Sequence, residues 1–154
     1  MVIEESTNLS AKEIMNPNVV SVGPNETLRE ISELMNKQKI GSVVVIDNDK
    51  AVGIITERDF ATKIMIKPYF SDTKVSDVMS SPVIYVSPNQ SVADIIDIMA
   101  NREIRKIPVI DNGKIVGIVS GTEFLRLFVQ TTDNDIKKIY QQYVKRIFSN
   151  WFED

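Results

Sequence analysis

The sequence predicts an α+β fold made from two copies of one strand–helix–hairpin–helix unit, with one further helix at the C-terminal end. Three observations predict it. Residues 43–60 run Val-Val-Val-Ile, then Asp-Asn-Asp-Lys, then Ala-Val-Gly-Ile-Ile, then Thr-Glu-Arg-Asp-Phe. This is an apolar run, a polar turn, a second apolar run and a helix start, the pattern of a β-hairpin that feeds a helix. The same pattern returns 64 positions later as residues 107–124, and over residues 14–60 that offset gives 17 identities in 47 positions without a gap. An internal duplication explains it. Beyond residue 131 the copies end, and Ile136, Ile139, Tyr140, Tyr143, Val144, Ile147 and Phe148 fall at helical spacing.

The elements follow in order. Residues 1–8 are polar, with Val2-Ile3 as a candidate short strand. Ser10-x-x-Glu13 is a capping box for a short helix ended by Asn16-Pro17. Val19–Val22 reads as a strand and residues 23–26 as a turn. Thr27-x-x-Glu30 caps a helix whose apolar stripe is Leu28, Ile31, Leu34 and Met35. Val43–Ile46 is apolar without alternation, so a strand covered on both faces is expected. Residues 47–50 turn the chain, Val52–Ile55 returns antiparallel, and Thr56-x-x-Asp59 opens a helix that runs through Phe60, Ile64 and Met65. A short link over 67–74 leads to the second copy. There Val75–Met79 mirrors the first short helix, Val83–Val86 the first strand, and Ser91-x-x-Asp94 the helix cap. Val92, Ile95, Ile96, Ile98 and Met99 supply the buried face of that helix. Ser120-x-x-Glu123 opens the last repeat helix, with Phe124, Leu125 and Phe128 inside. Thr132-x-x-Asp135 caps the extension, whose apolar stripe packs on its own repeats, on a second subunit, or on another partner. The predicted division is 8–66 and 75–130 for the copies, 67–74 for the link and 131–154 for the extension, with 1–7 flexible.

At 154 residues the chain holds one compact domain or two small halves. A copy of some sixty residues is marginal alone, so a core shared between the halves is expected. Lys and Arg number 18 against 21 Asp and Glu, a net charge of -3, which disfavours nucleic acid or an anionic membrane as a bulk partner. Cysteine and histidine are absent. Disulfides, thiolate chemistry, histidine triads and histidine-held metals are therefore excluded. No apolar run reaches the length of a membrane span and the first residues do not form a signal peptide, so the default is a cytoplasmic protein. Neither a phosphate-binding loop nor a G-x-G-x-x-G segment occurs.

Two places carry candidate chemistry. Thr56-Glu57-Arg58-Asp59 lies where a strand delivers the chain to a helix start. Thr56 offers a hydroxyl, Arg58 a charge, and Asp59 two acceptors for the cis-diol of a ribose. The same Thr-x-x-Asp is also a plain capping box, which would turn Asp59 back onto the Thr56 backbone. Arg105-Lys106 stands directly before a strand containing Pro108, which cannot donate to a ladder. These cations form either a solvated loop or a phosphate clamp. The copies divide the basic groups: Gly41-Ser42 stands where Arg105-Lys106 stands, and Gly121-Thr122 where Glu57-Arg58 stands.

The ordered series Met79-x-x-Pro82, valine-rich strand, Pro88-Asn89-x-Ser91, helix, Ile107-Pro108-Val109-Ile110-Asp111, Gly117-Ile118-Val119-Ser120, repeated in the first copy through Gly53-Ile54-Ile55-Thr56-x-x-Asp59, resembles the cystathionine-β-synthase (CBS) domain. The tandem resembles a Bateman module over residues 10 to 130. The resemblance implies β-α-β-β-α repeats packed about a pseudo-twofold axis, a homodimer, no catalysis and no required cofactor. It implies a regulatory adenosine-containing ligand (AMP, ADP, ATP or S-adenosylmethionine) in a cleft between repeats, sensed on behalf of an unknown regulated protein. It maps the ligand site onto Ser21, Val22, Val43, Ile54, Thr56, Arg58, Asp59, Arg105, Lys106 and Pro108. A weaker second site falls on Tyr85, Ser120, Thr122 and Glu123, where glutamate replaces the family's aspartate. A different reading makes the chain a structural or dimerisation protein with vestigial clefts that works through its C-terminal helix. A third uses the basic residues within 137–146 to hold nucleic acid.

Overall fold

Capping side chains set where the helices begin. The computed structural model describes residues 9–65, 67, 69–130 and 134–147. Ser10 and Glu13 form the expected reciprocal box at α1 (Ala11–Ile14), and Thr27 and Glu30 form another at α2 (Leu28–Gln38). At α4 (Val92–Asn101) Ser91 accepts from the Asp94 N–H, while the Asp94 carboxylate accepts from Gln90. The remaining elements are β1 (Ser21–Val22), β2 (Ser42–Asp47), β3 (Lys50–Thr56), α3 (Glu57–Asp59) continuing as a π-helical turn over Phe60–Ile64, a 3-10 turn over Val75–Asp77, β4 (Lys106–Asp111), β5 (Lys114–Ser120), α5 (Gly121–Gln130) and α6 (Asn134–Ile147). The fold is α+β with two β-α-β-β-α repeats and a C-terminal helical extension.

Two compact units emerge, and they interleave the copies. One holds residues 18–84 with 112–115; the other holds the described residues up to 17, residues 85–111 and those from 116 onward. In the first unit β1 pairs parallel with β2, and β2 pairs antiparallel with β3 with a bulge after Val45. The hairpin turns on Asn48 and Asp49, both left-handed at φ 48 and 62, which suits a two-residue turn between twisted strands. Val43, Val44 and Val45 are fully buried, as an unalternating run requires. The core joins Leu28, Ile31 and Met35 of α2 to Val43, Val45 and Ile55 of the hairpin, and is completed by Val75 and Val78 from the lead-in of the second copy. The link is tied to this unit, because the Thr73 and Ser71 carbonyls accept from the N–H groups of Leu28 and Arg29.

In the second unit β4 and β5 form the hairpin, and the core gathers Val92, Ile95, Ile96 and Met99 of α4 with Ile107, Val109, Val119 and Phe124. Ala11 and Ile14 of the N-terminal lead-in complete it. The Ala11 and Lys12 N–H groups donate to the Gln90 and Pro88 carbonyls, and Asn16 exchanges hydrogen bonds with Ile118. Each lead-in thus serves the other copy's hairpin. Met79 lies against Gly53 and Met15 against Gly117, equivalent glycines at which a Cβ would collide with the thioether. There are two cores, and each is shared between the copies, because each takes apolar side chains from the exchanged lead-in.

Other expectations need correction. Val83–Val86 is a single parallel bridge between Val86 and Val109, not a strand. In the first copy the Val44 N–H donates to the Val20 carbonyl; Pro108 occupies the matching place and has no N–H to give. The helix expected after Asp59 is a wide π turn, in which the Met65 N–H bonds to the Phe60 carbonyl, and Met65 is 82% exposed. Leu125 is 52% exposed beside a fully buried Phe124, since adjacent helical residues face different directions.

The extension packs on its own unit. Ile139 and Tyr143 are buried in the second core, and α6 lies against α4 and α5. The Tyr143 ring stacks on Phe124 with centroids 4.4 Å apart, and Arg146 pairs with Asp97. Val2-Ile3, the Thr132 cap, Phe148 and the side chains of Phe128, Ile136, Tyr140 and Ile147 lie outside the described residues.

Candidate functional site

The end of β3 places Thr56, and the first turn of α3 brings Asp59 back beneath it. One carboxylate oxygen, Oδ2, accepts from the Thr56 N–H at 2.8 Å and from the Thr56 hydroxyl at 3.0 Å. The Asp59 N–H donates to the same hydroxyl at 3.4 Å. Asp59 therefore caps the helix, the inward orientation of the two the sequence allowed. Its other oxygen, Oδ1, meets the Lys63 ammonium at 2.8 Å, one helical turn on. Asp59 is 7% exposed, so these partners offset the cost of holding its charge away from water. A carboxylate has about four acceptor positions, and the bonds described take three. Lys63 also donates to the Ser80 hydroxyl at 2.9 Å and reaches the Val78 carbonyl at 3.5 Å.

Strand pairing sorts the other expected residues by face. Ser21 stands opposite Val44, Val44 opposite Ile54, and Ser42 opposite Thr56. Partners across a ladder share a face, so Ser21, Ile54 and Thr56 lie on one side of the sheet, with Ser42 and Val44. Val22 and Val43 occupy the other side and pack with the core. The Ile54 backbone is engaged through both its N–H and its carbonyl with Ser80. Arg58 is exposed.

Arg105, Lys106 and Pro108 belong to the second unit, with Tyr85, Ser120, Thr122 and Glu123. Arg105 is exposed just before β4, Lys106 is the half-buried first residue of β4, and Pro108 is buried with its carbonyl accepting from the Val86 N–H at 3.0 Å. Glu123, 4% exposed, repeats the inward turn of Asp59: its Oε2 accepts from the Ser120 N–H at 2.7 Å and from the Ser120 hydroxyl. The Ser120 hydroxyl in turn accepts from the Thr122 N–H at 3.3 Å. Tyr85 is 55% exposed.

Lys63, Ser80, Ser42 and Val44 were missed from the sequence. Lys63 had a signal, the four-residue spacing from Asp59 that pairs opposite charges on a helix. Ser42 and Val44 follow from strand alternation once Thr56 is chosen. Ser80 had none, because its place beside Ile54 depends on the exchanged lead-in.

The family model "CBS domain" matches residues 11–66 and 75–130. The chain is a pair of CBS domains. The CBS domain-containing protein YhcV of Bacillus subtilis is 34% identical over 111 residues, 72% of this chain and 79% of that protein. A putative signal-transduction protein with CBS domains from Burkholderia ambifaria has a solved structure 28% identical to this CBS pair, with a TM-score of 0.75, over 81% of this chain and 97% of that one. The CBS domain pair of the protein MJ0100, solved in complex with 5′-methylthioadenosine and S-adenosyl-L-methionine, is 26% identical with a TM-score of 0.72, over 80% of this chain and 98% of that one. CBS domains are non-catalytic regulatory modules, and this pair is one of them. Among the described residues no group of three or more Asp or Glu side chains gathers as a metal site, and no helix is long and apolar enough to cross a membrane.

Proposed function

We propose that this CBS pair senses an adenosine-containing ligand, AMP, ADP or ATP foremost and S-adenosylmethionine as the alternative, and passes the signal to a protein it regulates. The observation that carries the reading is the near-buried hydroxyl–carboxylate pair Thr56/Asp59 at the end of the first hairpin, in a chain of this family. A ribose cis-diol has two hydroxyl donors, and Asp59 Oδ1 is the acceptor nearest to being available for them. Both ligands in the MJ0100 complex contain an adenosyl group, which favours the same chemistry here. Ser21, Ile54 and Thr56 share the face on which such a ligand would lie. Arg58 is the candidate for its phosphate end, Val22 and Val43 would contribute only through their backbone, and Arg105, Lys106 and Pro108 stand with the second unit. Ser120, Thr122 and Glu123, with Tyr85, form the weaker counterpart.

Isothermal titration with AMP, ADP, ATP, S-adenosylmethionine and NADH tests the reading. Micromolar binding of at least one is expected, weakened tenfold or more, roughly one lost charge-assisted hydrogen bond, by Asp59→Ala and by the cap-preserving Asp59→Asn. Five flat titrations would sink it. A homodimer belongs to the same proposal: Met65 and Val129, equivalent in the two copies, are 82% and 74% exposed, apolar surface suited to a second copy. Light scattering that returns a monomer mass would remove that part.

A further inference from the structure

The two carboxylates differ in one neighbour. Asp59 is paired with Lys63 at 2.8 Å, and the Lys63 side chain is 40% exposed at a site whose other partners are the Ser80 hydroxyl and the Val78 carbonyl. Along the duplication Lys63 corresponds to Leu127, which packs against the second core. Glu123 is thus as buried as Asp59 and its carboxylate accepts from its serine's N–H and hydroxyl in the same way, but the i+4 position on its helix holds Leu127 where Asp59 has Lys63, the nearest basic residue on α5 being the exposed Arg126.

We infer that Lys63 selects ligands by charge, making the Thr56/Asp59 copy a site for a phosphate-bearing ribonucleoside. The inference rests on the proposed adenosine-ligand reading and adds a residue and a ligand class to it. With Lys63 in place the Asp59–Lys63 pair is neutral, so an approaching phosphate meets no net repulsion from the carboxylate. A diol that donates to Asp59 Oδ1 competes with the ammonium for that oxygen. The displaced ammonium keeps its charge on a flexible four-carbon stem, one sugar ring from the phosphate of the same ligand. Lys63 therefore opposes the diol slightly and favours the phosphate more, so its effect shows in the ratio of nucleotide to nucleoside affinity. At the Glu123 copy, where Leu127 stands in place of Lys63, this preference for a phosphate is expected to be weaker.

The test titrates AMP and adenosine into the wild type, Lys63→Met and Lys63→Arg. Lys63→Met is expected to weaken AMP about tenfold, the scale of one partly exposed ion pair, and to leave adenosine unchanged or tighter. Lys63→Arg keeps the wild-type preference. With the wild type alone, AMP binding weakens as sodium chloride is raised to about 0.5 M while adenosine binding holds, a measurement that needs no variant to fold. Equal losses for AMP and adenosine in Lys63→Met, or no change in either, overturn the role of Lys63 and leave the adenosine-ligand reading standing. So does a wild type that takes S-adenosylmethionine but neither of the two. If no adenosyl compound binds the wild type at all, the underlying reading fails and this inference fails with it.

Discussion

Gly121 and Tyr143 should be energetically coupled, and the sign of the effect can be worked out. Gly121 opens α5, and a Cβ placed there would lie 2.7 Å from the Tyr143 hydroxyl oxygen and 3.8 Å from the ring carbon that bears it. The first distance is a collision and the second an ordinary contact. Tyr143 has little freedom to retreat, being buried and stacked on Phe124. Gly121→Ala should therefore cost about 1–3 kcal/mol from overpacking, reduced by the helix preference of alanine, which is at most about 1 kcal/mol. In a Tyr143→Phe background the colliding atom is gone. There Gly121→Ala should be neutral or stabilising by a few tenths of a kcal/mol. A double-mutant cycle followed by urea unfolding, read by far-ultraviolet circular dichroism, measures the coupling and cancels whatever else the hydroxyl contributes. A coupling of at least about 1 kcal/mol is expected, equivalent to a midpoint shift of about 0.5 M or more. Additivity within about 0.5 kcal/mol would refute the packing of α6 on α5 described here.

Two further predictions concern the caps and the turn. The carboxyls of Glu13 and Glu30 are held below their ordinary value of 4.5, chiefly by the backbone N–H groups of Ser10 and Thr27 and then by those residues' hydroxyls. A carboxyl lowered in the folded state gives stability that is present above its unfolded value and lost as pH falls through the folded one. The urea midpoint should therefore decline as pH drops below 4.5, and a Glu13→Gln/Glu30→Gln double variant should decline less; equal slopes would remove the assignment. At the turn, Asp49 holds φ 62 where the second copy has Gly113 at φ 80. Asp49→Gly should stabilise by a few tenths of a kcal/mol, up to about 1 kcal/mol, in the same unfolding assay, and a loss of stability would count against the left-handed turn.

What was legible in the sequence was local. Ser10/Glu13, Thr27/Glu30 and the Asp47–Lys50 turn each use bonds between residues a few positions apart, so their chemistry is written in adjacent letters. The duplication added the pairing of hairpins, because two copies with one apolar pattern must solve one packing problem. Legibility stopped where partners are distant. Nothing in Leu9–Met15 or Val75–Met79 states which hairpin each will join, since the lead-ins share a pattern and either would fit. The same holds for Tyr143, whose partners Phe124 and Gly121 look like an ordinary helix start until α6 arrives. At the candidate site the residue types were legible and the orientation was not: Thr-x-x-Asp serves cap and ribose alike. Its side of the sheet became clear only with the Ser42–Thr56 register, which separated Ser21 and Ile54 from Val22 and Val43.

The exchanged lead-ins bear on how the chain comes off the ribosome. Synthesis runs from the N-terminus, and early units ordinarily fold first. Here the first hairpin cannot close its core when residue 66 emerges, because Val75 and Val78 have yet to be made. The N-terminal helix waits longer still, since Asn16 needs Ile118. Ala11 and Ile14 belong to the second core, which is complete only when the second copy has been made. Closing so long a loop slows folding, so the order of events is inverted: the earlier lead-in is made before the hairpin it joins and finds its place after it.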